Sequence, residues 1–146
     1  MVRAPGDNGL GRFRIELNVA NNDDVAAVRQ GKLKPEKVRR TTIQGVVDSG
    51  AAKLVIPQAV VEHLGLPLST KVTVRCADGR MVKRPTAEAA YVEILGRHGT
   101  FTAIVEPKRD SALIGAIVLE DLDLLMDCAN QRVVPRDPRT AIYEIE

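Results

Sequence analysis

The stretch VVDSGAAKLVIP, residues 46–57, places Asp48, Ser49 and Gly50 between two apolar runs. Asp48 ends a run that predicts a buried strand, and Gly50 permits a backbone turn that a side chain would obstruct. A carboxylate in this position would lie, partly desolvated, at the end of a rigid strand. Asp-Ser-Gly turns also occur in β proteins without a chemical role, so the triplet has to be interpreted with the rest of the chain.

The composition predicts one soluble globular domain. The 146 residues are 45% hydrophobic and 27% charged, which is typical of a folded chain and too apolar for a disordered one. Only 3% are aromatic, and Trp is absent. The core must therefore be built from Val, Ile, Leu and Ala, which favours strands.

The net charge of +2 is spread over runs at 37–40, 75–84 and 132–139. A basic β-barrel that binds nucleic acid would do so in a salt-dependent manner, but the aromatic residues on which single strands stack are nearly absent here. We therefore expect no nucleic-acid partner.

The two cysteines, Cys76 and Cys128, share no metal-ligand spacing with each other or with His63 and His98. We expect them to be small core residues, with no metal site, no cofactor and no disulfide. No apolar run approaches membrane-spanning length, and the start of the sequence lacks an apolar signal-peptide core. These features predict a reduced, cytoplasmic protein that does not bind a membrane.

Alternating and apolar runs predict a mostly β chain with one or two short helices. One helix is predicted from Pro57, at its first position, to Leu64, with Gly65 as its cap, and another at 117–122. The polar connection 21–37 could hold a further short helix. Asp78-Gly79 predicts a hairpin at 71–84, because both turn residues can take positive φ. Other strands are predicted at 12–19, 39–47, 54–56, 89–95 and 100–106, the last two joined through 96–99, and at 111–115, 124–127 and 132–134.

The order of these elements resembles the retropepsin-like aspartic proteases, the single-domain relatives of the retroviral proteases. Their signature is an apolar strand, then Asp-Thr/Ser-Gly-Ala, then a short apolar strand, and residues 46–56 resemble it. Further similar parts are a flap hairpin at 72–82, paired strands at 91–105, and Leu113-Ile114-Gly115 with the following helix, the element packed behind the active-site loop. The resemblance covers about residues 12–135 and implies a closed acid-protease β-barrel. Residues 1–11 and 136–146 would be terminal segments, the second of which could be an interface strand or a frayed end.

The resemblance also implies a mechanism. Two carboxylates hold one water and share a proton, since like charges so close cannot both ionise cheaply. The chain has one Asp-Ser-Gly and no second copy, so activity would require a homodimer that brings together two Asp48 side chains. The expected activity is that of an aspartic endopeptidase acting on protein or peptide substrates.

Roles for the neighbouring residues follow from the same resemblance. Ser49 would brace the two active-site loops across the dimer, and Gly50 and Ala51 would leave room for substrate. Substrate contacts are also expected from the flap tip, at Ala77, Asp78 and Gly79.

The sequence departs from the retroviral pattern in two places. Ala52 and Lys53 follow where retroviral enzymes often carry an acidic residue that grips the substrate backbone, and the flap tip has one glycine where retroviral flaps have several. The basic residues around the flap tip could favour acidic substrates or be solvated hairpin charges. An alternative keeps the fold without catalysis, as an inactive dimerisation or peptide-binding module.

Overall fold

The computed structural model describes residues 12–146, so the segment expected at 1–11 lies outside the described residues. Three short helices interrupt a series of nine strands in this range, and a 3-10 turn lies at Pro35–Lys37. The elements are β1 Arg12–Asn21, α1 Asn22–Arg29, β2 Arg40–Asp48, β3 Leu54–Pro57, α2 Gln58–Leu64, β4 Leu68–Arg75, β5 Met81–Ile94, β6 Arg97–Glu106, β7 Ala112–Ile114, α3 Ala116–Asp121, β8 Leu124–Asp127 and β9 Arg132–Pro135.

The predicted mostly β fold with a closed barrel is confirmed. Six strands are hydrogen-bonded in the order β1-β2-β7-β3-β6-β5, and β5 pairs back onto β1, which closes the sheet. β2 pairs with β7, and β3 with β6, in parallel, whereas the other neighbours run antiparallel. β4 lies outside the closed ring, paired with β5. Closure removes the free edges of the six strands, which is how a small sheet protects its unpaired backbone groups.

A row of apolar residues in register across the six strands lines the inside of the barrel. Each of them is at most 4% exposed. Because side chains alternate between the faces of a strand, the next residue on each strand faces outward. Asp48 follows one of them, Val47, so its carboxylate lies on the outside of the barrel wall. The inner row consists of Phe13, Val47, Ile114, Leu54, Ala103 and Ala87.

The polar connection at 21–37 contains the additional short helix, α1, so residues 12–146 include three α-helices rather than one or two. Its start is explained by Asn21, whose Oδ1 accepts hydrogen bonds from the N–H groups of Asp23 and Asp24 at 2.9 and 3.2 Å. Helix α2 ends at Gly65 in the left-handed conformation, as predicted, but Pro57 is its N-cap rather than its first residue. No helix in residues 12–146 has the length and apolar character needed to cross a membrane.

The β4–β5 hairpin forms as predicted, but its turn differs. Gly79 takes a φ of 87°, while Asp78 keeps a negative φ. The Gly79 N–H donates to the Cys76 carbonyl at 2.9 Å, and the Cys76 N–H donates to the Arg80 carbonyl at 2.7 Å. This is a three-residue loop with a glycine bulge. It needs only one residue in the left-handed conformation, whereas a two-residue type I′ turn needs two.

Two further differences lie in and after β5. The strands predicted at 81–83 and 89–95 are one strand, bent by an irregularity between Ala87 and Ala90, where Ala89 has a φ of 63°. The bend lets the first part pair with β4 and the second with β1, which closes the barrel. The prediction of a connection at 96–99 is wrong. Leu95 and Gly96, both with positive φ, make a two-residue turn, and β6 already begins at Arg97.

The β8–β9 hairpin is confirmed, and the segment 136–146 has no regular secondary structure. This segment is fastened to the end of α3 rather than free. The Ile142 N–H donates to Asp123 Oδ2 at 2.9 Å, and the Tyr143 hydroxyl donates to the Asp121 carbonyl. Ile145, which is 92% exposed, lies beyond these contacts.

Candidate active site

Asp48 ends β2 on the outer face of the barrel. Its neighbour Val47 is fully buried, so the strand that carries the carboxylate is anchored in the core. The side chain of Asp48 is 26% exposed, and in the β1–β2 register it lies opposite Arg12. The carboxylate therefore lies, partly desolvated, at the end of an anchored strand, as the sequence predicts, and part of it is open to solvent.

The loop after Asp48 folds back onto it. The Gly50 N–H donates to Asp48 Oδ1 at 2.9 Å, and the Ala51 N–H donates to the Asp48 carbonyl at 3.1 Å. The other carboxylate oxygen, Oδ2, lies 3.5 Å from Arg12 Nε. One oxygen is thus oriented by the loop backbone and the other faces a cation. Ser49, expected to brace the two active-site loops across a dimer, is exposed in this loop.

The start of α3 supports this loop from behind. The N–H groups of Ala116 and Ile117 donate to the carbonyls of Ala51 and Ala52 at 2.8 and 3.0 Å. Gly115 makes this approach feasible, since a Cβ there would lie 2.4 Å from the Lys53 carbonyl oxygen and 2.7 Å from that of Ala51. Its φ of −90° is open to any residue, so close packing and not backbone conformation requires glycine.

A second row in register runs across the outer face from the Asp48 side of the barrel. The row starts with an arginine on β1, two residues after Arg12. It continues through four aliphatic residues and ends at a threonine. Val46 and Val55 are less than 10% exposed although they lie outside the barrel interior. The row forms an apolar floor that an extended chain could follow away from the carboxylate. Its members are Arg14, Val46, Leu113, Val55, Ile104 and Thr86.

A cavity of about 410 Å³ lies at the far end of this floor. Lys53, Glu88 and several Ser and Thr residues are among its lining residues, so it combines hydroxyl groups with one ammonium group and one carboxylate. A different cavity, of about 500 Å³, lies beside Asn18 and Tyr91 and shares no residue with the Asp48 loop. The first cavity continues the row that begins beside Asp48, because Ile104 and Thr86 belong to both.

The predicted flap-tip residues Ala77, Asp78 and Gly79 lie in the exposed turn between β4 and β5. The turn is ordered by Asp78, which accepts hydrogen bonds from the Arg80 N–H at 3.0 Å and from its guanidinium at 2.7 Å. These hydrogen bonds lower the pKa of Asp78. Among residues 12–146, no hydrogen bond joins this turn to the Asp48 loop.

The sequence does not predict the positions of two arginines, Arg12 beside the Asp48 carboxylate and Arg109, whose charge acts on Arg12. Arg12 was assigned only to an alternating strand, and its position opposite Asp48 depends on the pairing of β1 with β2. Arg109 lies in the β6–β7 loop, where its guanidinium folds onto the carbonyls of Ser111 and Ala112. The alternation Arg-Phe-Arg at 12–14 was a signal for Arg12 alone, since it put Arg12 and Arg14 on the polar face of β1.

Comparisons with known proteins agree with this architecture. No curated protein sequence is significantly similar to the chain. Among solved structures, the EIAV protease complexed with the inhibitor HBY-793 matches it with a TM-score of 0.52 and 19% sequence identity, covering 79% of this chain and 91% of that one. At this identity the likeness establishes the fold, that of a retroviral protease.

A sequence family completes the assignment. The family model described as "gag-polyprotein putative aspartyl protease" matches residues 35–121, more than half of the chain. This range contains the Asp48 loop, the β4–β5 hairpin and the Gly115 element, which are the parts described above. The chain therefore belongs to the retropepsin-like aspartyl protease family.

Proposed function

We propose that this protein is an aspartic endopeptidase that works as a homodimer, with one Asp48 from each chain. The observation that carries the proposal is the Asp48 carboxylate itself, fixed at the end of β2, oriented by the Gly50 N–H and open on one side. The sequence has one Asp-Ser-Gly, so a pair of such carboxylates requires two chains. The family and the fold support this proposal.

The chemistry follows from two carboxylates at one site. One stays ionised and the other protonated, because two negative charges in contact are costly. The ionised Asp48 takes a proton from a water held between the two, and that water attacks the peptide carbonyl carbon. The protonated Asp48 donates a hydrogen bond to the carbonyl oxygen, and the resulting tetrahedral intermediate collapses with proton transfer to the leaving nitrogen.

The surrounding residues take positioning roles in this proposal. Exposed Ser49 is free to contact the partner chain, and Gly50 and Ala51 leave the approach to the carboxylates narrow but open. The turn at 77–79 covers bound substrate. The segment 136–146, with Ile145 exposed, contributes to the dimer interface.

The test uses Asp48→Asn with Asp23→Asn as the matched control, since Asp23 is an exposed carboxylate on α1. Cleavage of a peptide library should disappear in Asp48→Asn and persist in Asp23→Asn, while both variants keep the wild-type dimer in sedimentation. Peptide bonds cut equally well by Asp48→Asn would refute the assignment.

Mixed dimers test the sharing of the site. When equal amounts of wild-type and Asp48→Asn chains are co-refolded, random pairing leaves about a quarter of the dimers with two intact carboxylates. Activity should fall to about that fraction, whereas a chain that works alone would retain about half. A wild-type protein that dimerises and binds peptides without cutting them would support the inactive-module alternative.

A further inference from the structure

The outer face around Asp48 carries more positive charge than the carboxylate can neutralise. Arg12 and Arg14 lie on the same face of β1, opposite Asp48 and Val46. Arg109 approaches from the β6–β7 loop, close enough to Arg12 and Arg14 for repulsion between the charges. We call Arg12, Arg14 and Arg109 the basic rim.

Carbonyl and hydroxyl oxygens, and no carboxylate of the described range 12–146, hold Arg109 in place. Its Nε donates to the Ser111 carbonyl at 2.8 Å, and its Nη2 lies 3.4 Å from Ser111 Oγ and from the Ala112 carbonyl oxygen. No carboxylate of residues 12–146 lies within 4.0 Å of its guanidinium. Burial lowers the pKa of Arg109, and repulsion from Arg12 lowers it further. A partly buried cation fixed beside another cation is costly unless an anion joins them.

Arg12 has unused hydrogen-bonding capacity at the same place. Its Nε is buried and has no hydrogen-bond partner among residues 12–146, although it lies 3.5 Å from Asp48 Oδ2. In the proposed dimer the two Asp48 side chains share one proton and are occupied with the catalytic water, so they offset even less of the positive charge. Within the part of the chain that the structure describes, no acceptor takes the Arg12 Nε–H beside the carboxylate.

The nearby acidic groups among residues 12–146 do not fill this position. Glu106 and Asp110 favour the charged form of Arg109, but Glu106 is paired with Arg84, and the side chain of Asp110 is exposed. The apolar floor that begins at Val46 leads directly away from the rim. An extended peptide lying on that floor would bring a side chain next to its scissile bond within reach of the two arginines.

We propose that Arg12 and Arg109 bind an acidic side chain of the substrate next to the scissile bond, so that the enzyme selects Asp or Glu there. This inference rests on the proposed function, because it concerns the cleft of the same Asp48 site. The planar guanidinium groups suit it, since each can donate two hydrogen bonds to one carboxylate.

The first experiment sequences the products of a peptide library cut by the wild-type protein. Asp and Glu should be enriched at one of the two positions that flank the cut bonds. One cut sequence is then made as a Glu and a Gln peptide, and kcat/KM is measured for both. The Glu peptide should be preferred by about tenfold to a hundredfold, the range expected for a charge-assisted hydrogen bond.

Substitutions of the rim arginines test whether the basic rim causes this preference for Glu over Gln. Arg109→Gln and Arg12→Gln should each reduce the Glu-to-Gln ratio towards one, and Arg109→Lys should keep part of it. Arg29→Gln is the control, since Arg29 is an exposed arginine on α1 whose loss changes net charge equally. A wild-type protein without acidic enrichment, or a ratio in both rim variants equal to that of Arg29→Gln, would overturn the proposal.

Two further readouts separate this inference from the proposed function. If the wild-type protein cuts nothing, the proposed catalysis fails, and binding of labelled Glu and Gln peptides to the same protein by fluorescence anisotropy still tests the charge preference. Equal binding of the two peptides refutes it. If both rim variants weaken the dimer in sedimentation without changing the Glu-to-Gln ratio, the arginines pair with the partner chain and the proposal is wrong.

Discussion

Replacing Gly115 with Ala tests the support behind the Asp48 loop. The added Cβ would lie 2.4 Å from the Lys53 carbonyl oxygen, 2.7 Å from that of Ala51 and 2.8 Å from the Ala52 carbonyl carbon. Ordinary contact begins near 3.4 Å, so the loop must move away by about 1.0 Å. All three obstacles are backbone atoms, so no side-chain rotation can relieve them.

This displacement has a calculable effect. Moving the loop breaks or lengthens the two hydrogen bonds donated by Ala116 and Ile117, worth about 1 kcal/mol each. With the strain of an overpacked site, the free energy of unfolding should fall by about 2–4 kcal/mol. A misplacement of about 1 Å costs on the order of 100-fold in rate, so kcat/KM should fall by that factor in the enzyme proposed above.

Urea denaturation and kcat/KM measure the two effects, with Gly31→Ala as the control. A Cβ at Gly31 meets no atom within 4 Å, although the φ of +72° is unfavourable for Ala. The control should therefore lose about 1 kcal/mol through its backbone and keep full activity. A Gly115→Ala protein that matches the wild type within about 0.5 kcal/mol and retains its kcat/KM would refute the steric argument.

Three other substitutions probe features away from the loop. Asn21→Ala should lower the free energy of unfolding, measured by urea titration, by about 2–4 kcal/mol. The substitution removes the cap of α1 and leaves the buried Leu64 carbonyl without its hydrogen-bond donor. A loss below about 1 kcal/mol would contradict this reasoning. Asp123→Asn should destabilise the protein at neutral pH. A hydrogen bond from the Arg136 guanidinium and one from the Ile142 N–H lower the pKa of Asp123 below its ordinary 3.8, so their contribution to stability is present above pH 3.8 and disappears as the pH falls through the lowered value. The difference from wild type should shrink in acid, and a constant difference would speak against the pairing. Leu95→Asn should stabilise the protein by about 0.5–1 kcal/mol, because Asn tolerates the positive φ of this turn better than Leu, and an unchanged or lower melting temperature would disprove that.

Much of the site could be predicted because its signals are local. Asp48, its turn and the apolar strands around it lie within twelve consecutive residues. The helix cap at Gly65 and the hairpin at Asp78-Gly79 depend on single residues with known backbone preferences. These features need no knowledge of distant contacts.

The features that could not be predicted depend on register between distant strands. Arg12 meets Asp48 because β1 pairs with β2 in one particular alignment, and a shift by one residue would turn Arg12 to the other face. The bend at Ala89 lets β5 pair with both β4 and β1. The sequence gives no signal for this bend, because alanine is not a turn-forming residue. The closed barrel overrides local preference there, because burial of the second half of β5 outweighs a strained residue.

The support that α3 gives to the Asp48 loop also sets an order of events during synthesis. The carboxylate leaves the ribosome early, but the N–H groups that hold its loop belong to residues 116 and 117, much later in the chain. β1 likewise waits for the second half of β5 before the barrel can close. A nascent chain therefore carries Asp48 for most of its synthesis without the framework that shapes it. The same dependence on late residues means that premature termination before Gly115 produces a fragment with the Asp48 carboxylate but without the N–H groups that hold its loop.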